Sequence, residues 1–366
     1  MDTVSLNSGQ AIRIYDYSPH PRTLLVRLSA PIAEFSSATW FPIMHIRRGW
    51  LHGSHAVVTV RPPAGDRPSR ARDLTGLIAG IGAAIEPLHG TPPDSDTYLA
   101  QAEALGRWEN VPGPYLPVQP QGHIDVSPEV PPAGWPDGLV LARDLMLARL
   151  MNPILSGAAH ANEIAPYALR VLSIVAATHP AGIEIGTLPY RSHSEAALTW
   201  RAGATTLRSA FDGRFGNDSA LFHAALTDPI GSAPAGEVES LRLWQDAAQH
   251  CWGVGTGLAL SGAIDRGALN AAGRLIDSPD VVRGAETSAF HEQMNSDGFS
   301  ALLPYWHLAH RLVVNVIYQS LACLGLSAVS RYYLCYGLAE ATDRLLGSTW
   351  SQRLTGYARD REAALA

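Results

Sequence analysis

The chain has 366 residues, of which 46% are hydrophobic and 16% charged, so it is long enough to bury a substantial core and too apolar for general disorder. Its net charge of -6 and pI near 6.1 leave no global basic field, which argues against nucleic acid as a partner. All 27 basic side chains are arginine, so a lysine Schiff base and a P-loop lysine are both excluded.

In chain order, AIRIYDY alternates as a half-buried strand, and TLLVRLSAPIAEF reads as a strand leading into a turn and a helix. Residues 41–62, FPIMHIRRGWLHGSHAVVTVRP, give two strands, His45–Trp50 and His55–Arg61, joined through a short connection containing Gly53. Asp73 is placed to cap a helix over about 74–87, and YLAQAEALGRWEN forms another. The proline-rich passage 111–138 cannot be regular helix, and a loop of that length is usually functional. From Leu139 the apolar spacing becomes helical: LVLARDLMLARLMNPIL, NEIAPYALRVLSIVAATH, HSEAALTWRAGATTLRSAFDGRF, SLRLWQDAAQHCWGVGTG and the apolar pattern over 299–346. The expected fold is α+β: an N-terminal sheet with a covering helix, packed on a mainly helical C-terminal half. We expect one body over 1–366, sheet-rich over 1–138 and helical over 139–366.

The three cysteines, Cys251, Cys323 and Cys335, form no CxxC pair, so a disulfide framework is not expected. Residues 1–20 lack a basic region followed by an apolar run, and no long uncharged apolar stretch follows, which predicts a soluble cytoplasmic protein with no membrane partner. GVGTGLALSG follows a helix and not a strand, so it fails the context of a dinucleotide-binding loop; its glycines read as the end of one helix and the start of another. The pairs His52 with His55 and His307 with His310 lack a third ligand, and no metal is expected.

Two polar clusters stand out. Arg47, Arg48, His52 and His55 gather donors suited to a carbonyl, carboxylate or phosphate at the first hairpin, beside Trp50, against the alternative of a solvated turn with Trp50 packed on the sheet. His291, Glu292, Ser300, Tyr305, Trp306, His307, His310 and Arg311 crowd the head of an apolar helix, either as capping and interface groups or as the wall of a pocket.

The order RRGW, His55 and VVTV, then PVQPQG with Gln119, then WHLAHRL resembles the thiopeptide-type bacteriocin biosynthesis domain, which is also the elimination domain of lantibiotic dehydratases. The likeness covers nearly the whole chain as an ordered series of weak motifs. Eliminating members carry an Arg-Tyr pair, a following strand with further arginines that grips a glutamylated peptide, a Glu-Arg-Tyr-Gly run and a helix reading HMxxNRL. Here Ala56, Val57, Val58 and Thr59 stand in place of those arginines, Gln119 and Gln121 lie in the middle run, and the helix reads WHLAHRL.

A chain that keeps the scaffold without those groups is similar to the stand-alone pyridine synthases of thiopeptide biosynthesis. The resemblance implies a cofactor-independent, lyase-like enzyme acting on a modified precursor peptide with a leader and a dehydroalanine-containing core. It would join two dehydroalanines by a formal aza-Diels-Alder reaction and expel water and the leader. Two other readings stay open: a glutamate-eliminating dehydratase subunit and a noncatalytic precursor-binding scaffold. On the leading reading Arg47, Arg48, Trp50, His52, His55, Gln119, Trp306, His310 and Arg311 bind substrate. Tyr305 and Ser300 are the proton donors, with His291 and Glu292 as further acid-base groups.

Overall fold

The structure, a computed structural model, describes residues 9–37, 43–61, 68–109, 111–131, 135–200, 204–264, 288–296 and 305–365. It is α+β as expected, with every strand among the described residues lying before Leu139 and helices dominating after it. The chain gathers into two compact units: Met1–His160, Arg266–Pro279 and Asn315–Gly325 in the first; Ala161–Asp265, Asp280–Val314 and Leu326–Ala366 in the second.

In the first unit, β1 (Gln10–Tyr15), β2 (Ile43–Gly49), β3 (His55–Arg61) and β4 (Ile124–Pro128) form an antiparallel sheet in the order β2-β3-β1-β4. The hairpin β2–β3 closes on the pair Gly49 and His55, and β1 runs beside β3 from Gln10 opposite Val60 to Tyr15 opposite His55. Strand β3, HAVVTVR, is buried along its whole length, which suits its β-branched run. Helix α1 (Pro21–Ser36) overturns the strand expected at its start. Leu24, Leu25, Leu28, Ile32 and Phe35 recur at helical spacing and are all buried, and Pro21 sits in the first turn where its missing N–H costs nothing.

Helix α2 (Pro68–Ile85) begins before Asp73, which lies inside it and does not cap it. Helix α3 (Ser95–Glu109) follows. The proline-rich passage then contains β4, a strand that the sequence reading missed: five residues paired to β1, three half-buried and two, Val126 and Pro128, exposed. Helix α4 (Asp137–His160) packs on β2 and α1, and α1 packs on α2.

The second unit holds α5 (Ile164–Ala177), α6 (Gly182–Gly186), α7 (Leu188–Trp200), α8 (Ala204–Thr227), α9 (Val238–Leu260) and α10 (Ala289–Asn295). It also holds the first part of α11 (Tyr305–Cys323), then α12 (Ala328–Leu346) and α13 (Trp350–Leu365). Helix α5 is buried from Tyr167 to Ala176 and forms the centre, where the Trp244 indole N–H donates to the Tyr167 hydroxyl at 2.9 Å. The segment read as one helix from His193 is two, α7 and α8, on either side of residues 201–203.

The glycine-rich stretch splits in its roles: Gly262, at φ 71° just past the C-cap Ser261, ends α9 as expected, whereas Gly253, Gly255 and Gly257 lie inside that helix. A Cβ on Gly255 would stand 3.2 Å from the Ala309 carbonyl oxygen, so this glycine lets α9 approach α11 closely. No single helix among the described residues is long and apolar enough to cross a membrane; one bent pair, Ile164–Ala177 with Gly182–Thr199, passes on length and composition only, and α5 lies in the core.

Candidate functional site

The hairpin turn Trp50–Ser54 is held by backbone hydrogen bonds and by hydroxyls from three tyrosines. Tyr98 donates to the Trp50 carbonyl at 2.9 Å and accepts from the Gly53 N–H at 3.1 Å, and Tyr15 donates to the Leu51 carbonyl at 3.4 Å. The Gln119 N–H donates to the His52 carbonyl at 2.8 Å, and Tyr17 donates to the Gln119 carbonyl at 2.8 Å. His52 and Gly53 both take positive φ, 63° and 122°. At Gly53 a Cβ would lie 1.9 Å from the Tyr17 hydroxyl, so the position requires glycine for conformation and for space. Gln119 therefore meets the turn through its backbone, while Gln121 reaches the sheet through its side chain, accepting from the Tyr17 N–H at 2.7 Å and donating to Asp16 at 2.9 Å. Trp50 lies with its ring 5.8 Å from that of Tyr115.

Beside this turn a small pocket is lined by Asp16, Arg47, Arg48, Ser54, His55 and Cys323, among others. Arg48 is exposed and donates to Ser54 Oγ at 2.8 Å; among the described residues no carboxylate pairs with it. The His55 ring donates from Nδ1 to the Gly53 carbonyl at 2.8 Å in the tautomer that leaves Nε2 a lone pair. Burial pushes this imidazole down to about 4, with the Gly53 carbonyl opposing and Arg13, Arg47 and Arg48 adding to the shift. Burial pushes the Cys323 thiol up to about 12 against the pull of Arg48 and Arg47, so it stays protonated at neutral pH.

Arg47, besides lining this pocket, enters a buried ionic network that the sequence reading did not foresee. Its Nη2 lies 3.0 Å from Glu129 Oε1. Arg143 Nη2 reaches Asp144 Oδ1 at 2.7 Å and Glu129 Oε1 at 3.3 Å, and Arg61 Nη2 reaches Asp144 Oδ2 at 2.8 Å and Glu129 Oε2 at 3.3 Å. His45 Nε2 lies 3.3 Å from Asp144 Oδ1. Burial alone would raise the Asp144 carboxyl, but His45 and Arg143 beside it hold it well below the usual carboxylate range. Burial pushes the His45 imidazole down to about 4 despite Asp144, leaving it neutral at pH 7.

His45, Glu129 and Asp144 bring one ligand atom each within 4.8 Å, the spacing of a metal centre. Every carboxylate oxygen there already faces a guanidinium, so a cation would meet three positive charges; the cluster is an ion-pair network. One signal in the sequence pointed to it: Arg143 and Asp144 sit together within the apolar run of α4 from Leu139 to Leu147.

The remaining site residues lie in the second unit. Tyr305 opens α11 and Trp306 follows it, while Ser300 lies outside the described residues. His310 is 1% exposed, and its Nε2 donates to the Gly186 carbonyl at 2.9 Å. Its ring stands edge-on to His179 at 5.1 Å and 5.8 Å from Trp252, and burial pushes it down to about 4. Arg311 is half-buried on the same helix; Glu292 is exposed on α10 and His291 beside it half-buried.

No protein-family model and no curated protein sequence matches the chain. Solved structures do. TbtD, described as the pyridine synthase from thiomuracin biosynthesis, superposes with a TM-score of 0.65 and 18% identity over 93% of this chain and 99% of TbtD. The two chains share one fold. TsrL matches with a TM-score of 0.53 and 14% identity over 94% of this chain and 97% of its own. The resemblance expected from the ordered motifs therefore holds at the level of fold, from end to end.

Proposed function

We propose that the chain is a thiopeptide macrocyclase. It would form the central pyridine by formal aza-Diels-Alder cycloaddition between two dehydroalanines of a thiazole-containing precursor peptide. The observation that supports this reading is the fold shared with the pyridine synthase TbtD over nearly the full length of both chains.

In the reaction the amide next to one dehydroalanine tautomerises to a 2-azadiene, two C–C bonds form with the other dehydroalanine, one between the two methylene carbons and one from the imidate carbon to the other α-carbon, and loss of water from the imidate carbon and then of the leader amide from that α-carbon gives the aromatic ring. Holding the two alkenes together is a large share of the task, since well-oriented intramolecular partners gain about 7–11 kcal/mol over free encounter. Arg48, Ser54 and His55 offer donors and one imidazole lone pair at a pocket whose frame is fixed by backbone contacts, the arrangement wanted for gripping peptide carbonyls. Arg47 supports that grip from the network below it. In the second unit Tyr305 and Ser300 are assigned the proton donation, His291 and Glu292 the reserve acid-base role, and Trp306 a face for a thiazole.

The test is mass spectrometry of the protein incubated with a synthetic leader-bearing bis-dehydroalanine precursor. Cyclisation splits the substrate into a pyridine macrocycle and a leader amide. Loss of glutamate from an intact glutamylated peptide would make the protein an eliminase, and an unchanged precursor that still binds would make it a scaffold.

A further inference from the structure

The second unit contains a hydroxyl–imidazole–hydroxyl chain that the proposed cyclisation leaves unassigned as a unit. On α7, Ser192 Oγ lies 3.0 Å from His291 Nε2. At the head of α10, Ser288 Oγ lies 2.7 Å from His291 Nδ1 and accepts the His291 backbone N–H at 3.3 Å. Both ring nitrogens thus face a serine hydroxyl.

The placement is built, not incidental. Ser288 is the N-cap of α10, so the contact that starts the helix also fixes where His291 begins. The next residue but one, Phe290, is 2% exposed in a cluster with Ile185, Leu188 and Leu354, and its ring meets Trp350 at 5.1 Å. Leu188 lies one helical turn before Ser192 on α7, so the packing that seats α10 also sets the distance from ring to hydroxyl. Ser192 and His291 both keep part of their surface accessible. Burial holds the His291 ring below its ordinary value; Glu195 on α7 favours the proton and Arg311 on α11 opposes it. Burial therefore favours the neutral ring, whose Nε2 faces the Ser192 hydroxyl.

We propose that Ser192, His291 and Ser288 form a relay that activates the Ser192 hydroxyl toward an electrophilic carbonyl ligand. Ser192 is the nucleophile, His291 the general base and Ser288 a positioning residue. With Nδ1–H donating to Ser288 Oγ, Nε2 keeps its lone pair. As Ser192 Oγ bonds to the electrophilic carbon, the hydroxyl proton passes to Nε2 and the carbonyl π pair moves to oxygen. The proposal rests on this geometry alone and stands or falls separately from the cycloaddition.

A fluorophosphonate probe tests it on the full chain. The Oγ–P bond forms, the P–F bond breaks, fluoride leaves and the hydroxyl proton goes to Nε2. Tandem mass spectrometry should place the adduct on Ser192, and His291→Gln should slow labelling by about 100-fold or more, the usual range for general-base assistance. Ser288→Ala should slow it less and shift its pH dependence. Absence of an adduct at Ser192, or equal labelling rates in wild type and His291→Gln, overturns the proposal. The Ser192→Cys variant supplies a check that leaves His291 in place. A thiol coupled to an imidazole is alkylated by iodoacetamide at pH 6–7 faster than an uncoupled thiol of pKa about 8.5, and a rate matching the uncoupled thiol overturns the relay.

Discussion

Asp144→Asn removes one charge from the buried network while nearly conserving the side chain's volume. In the wild type Arg47, Arg61 and Arg143 face Glu129 and Asp144, three positive charges against two negative; in the variant the balance is three against one. Asp144 is 0% exposed and accepts at 2.8 and 3.2 Å from Arg61 and at 2.7 and 3.0 Å from Arg143. Breaking a buried pair from one side costs about 3–5 kcal/mol, because the abandoned cations stay desolvated. With roughly 2–4 °C of Tm per kcal/mol for a unit of this size, scanning calorimetry at pH 7 should show a fall of about 6–20 °C. The folded carboxyl is held below its unfolded range, so its contribution is complete above roughly pH 4 and is lost as the pH falls further. The gap between wild type and variant should therefore be flat above about pH 5 and close in acid. A loss under about 1 kcal/mol, or a gap that widens below pH 4, would refute the account of the network as an ion-pair assembly.

His45, His55 and His310 titrate near 4 in the fold against about 6.5 unfolded, so stability should be full above pH 6.5 and decline steadily down to pH 4; denaturant melts at half-unit pH steps measure it, and a flat profile rejects the buried neutral histidines. Gly53→Ala should cost about 1–3 kcal/mol and weaken precursor binding, because it combines strained φ with a collision at Tyr17; chemical denaturation reads the first effect and calorimetric titration the second. Arg48→Gln should leave the unfolding free energy within about 0.5 kcal/mol of wild type, yet weaken precursor affinity about 10- to 100-fold by removing a charge-assisted donor; equal affinity would remove Arg48 from substrate binding. Tyr305→Phe should lower turnover by about 100-fold or more with affinity unchanged, and full activity would take its hydroxyl out of the mechanism.

What was legible in the sequence was what short range determines. Gly53 between two apolar runs marked the hairpin, and the β-branched run Val57–Val60 marked its inner strand. Helix α1 was misread at its start because Leu24, Leu25 and Val26 form a continuous apolar run, which fits a strand until the spacing to Leu28, Ile32 and Phe35 is counted. Strand β4 escaped notice because five residues among prolines carry little pattern, and its partner β1 lies far away in the chain. Long range also decided Arg47. Its sequence neighbours suggested a substrate donor, and tertiary structure adds an ion pair with Glu129 that no local signal announced. Ser192 carried no signal at all; only the packing of α10 on α7 gives it an imidazole.

The frame around the hairpin turn has a bearing on how this protein could be altered. The hydroxyls of Tyr15, Tyr17 and Tyr98 and the amide of Gln119 all end on main-chain carbonyls, at Leu51, Gln119, Trp50 and His52 in turn. Main-chain atoms are common to every residue type, so the frame is blind to which side chains the turn displays. Leu51, His52 and Ser54 can then be randomised in a library with the loop's shape retained, His52 being best replaced by residues such as Asn that accept positive φ, and Gly53 being kept. Recognition could be rewritten at those positions while the scaffold beneath them stays as it is.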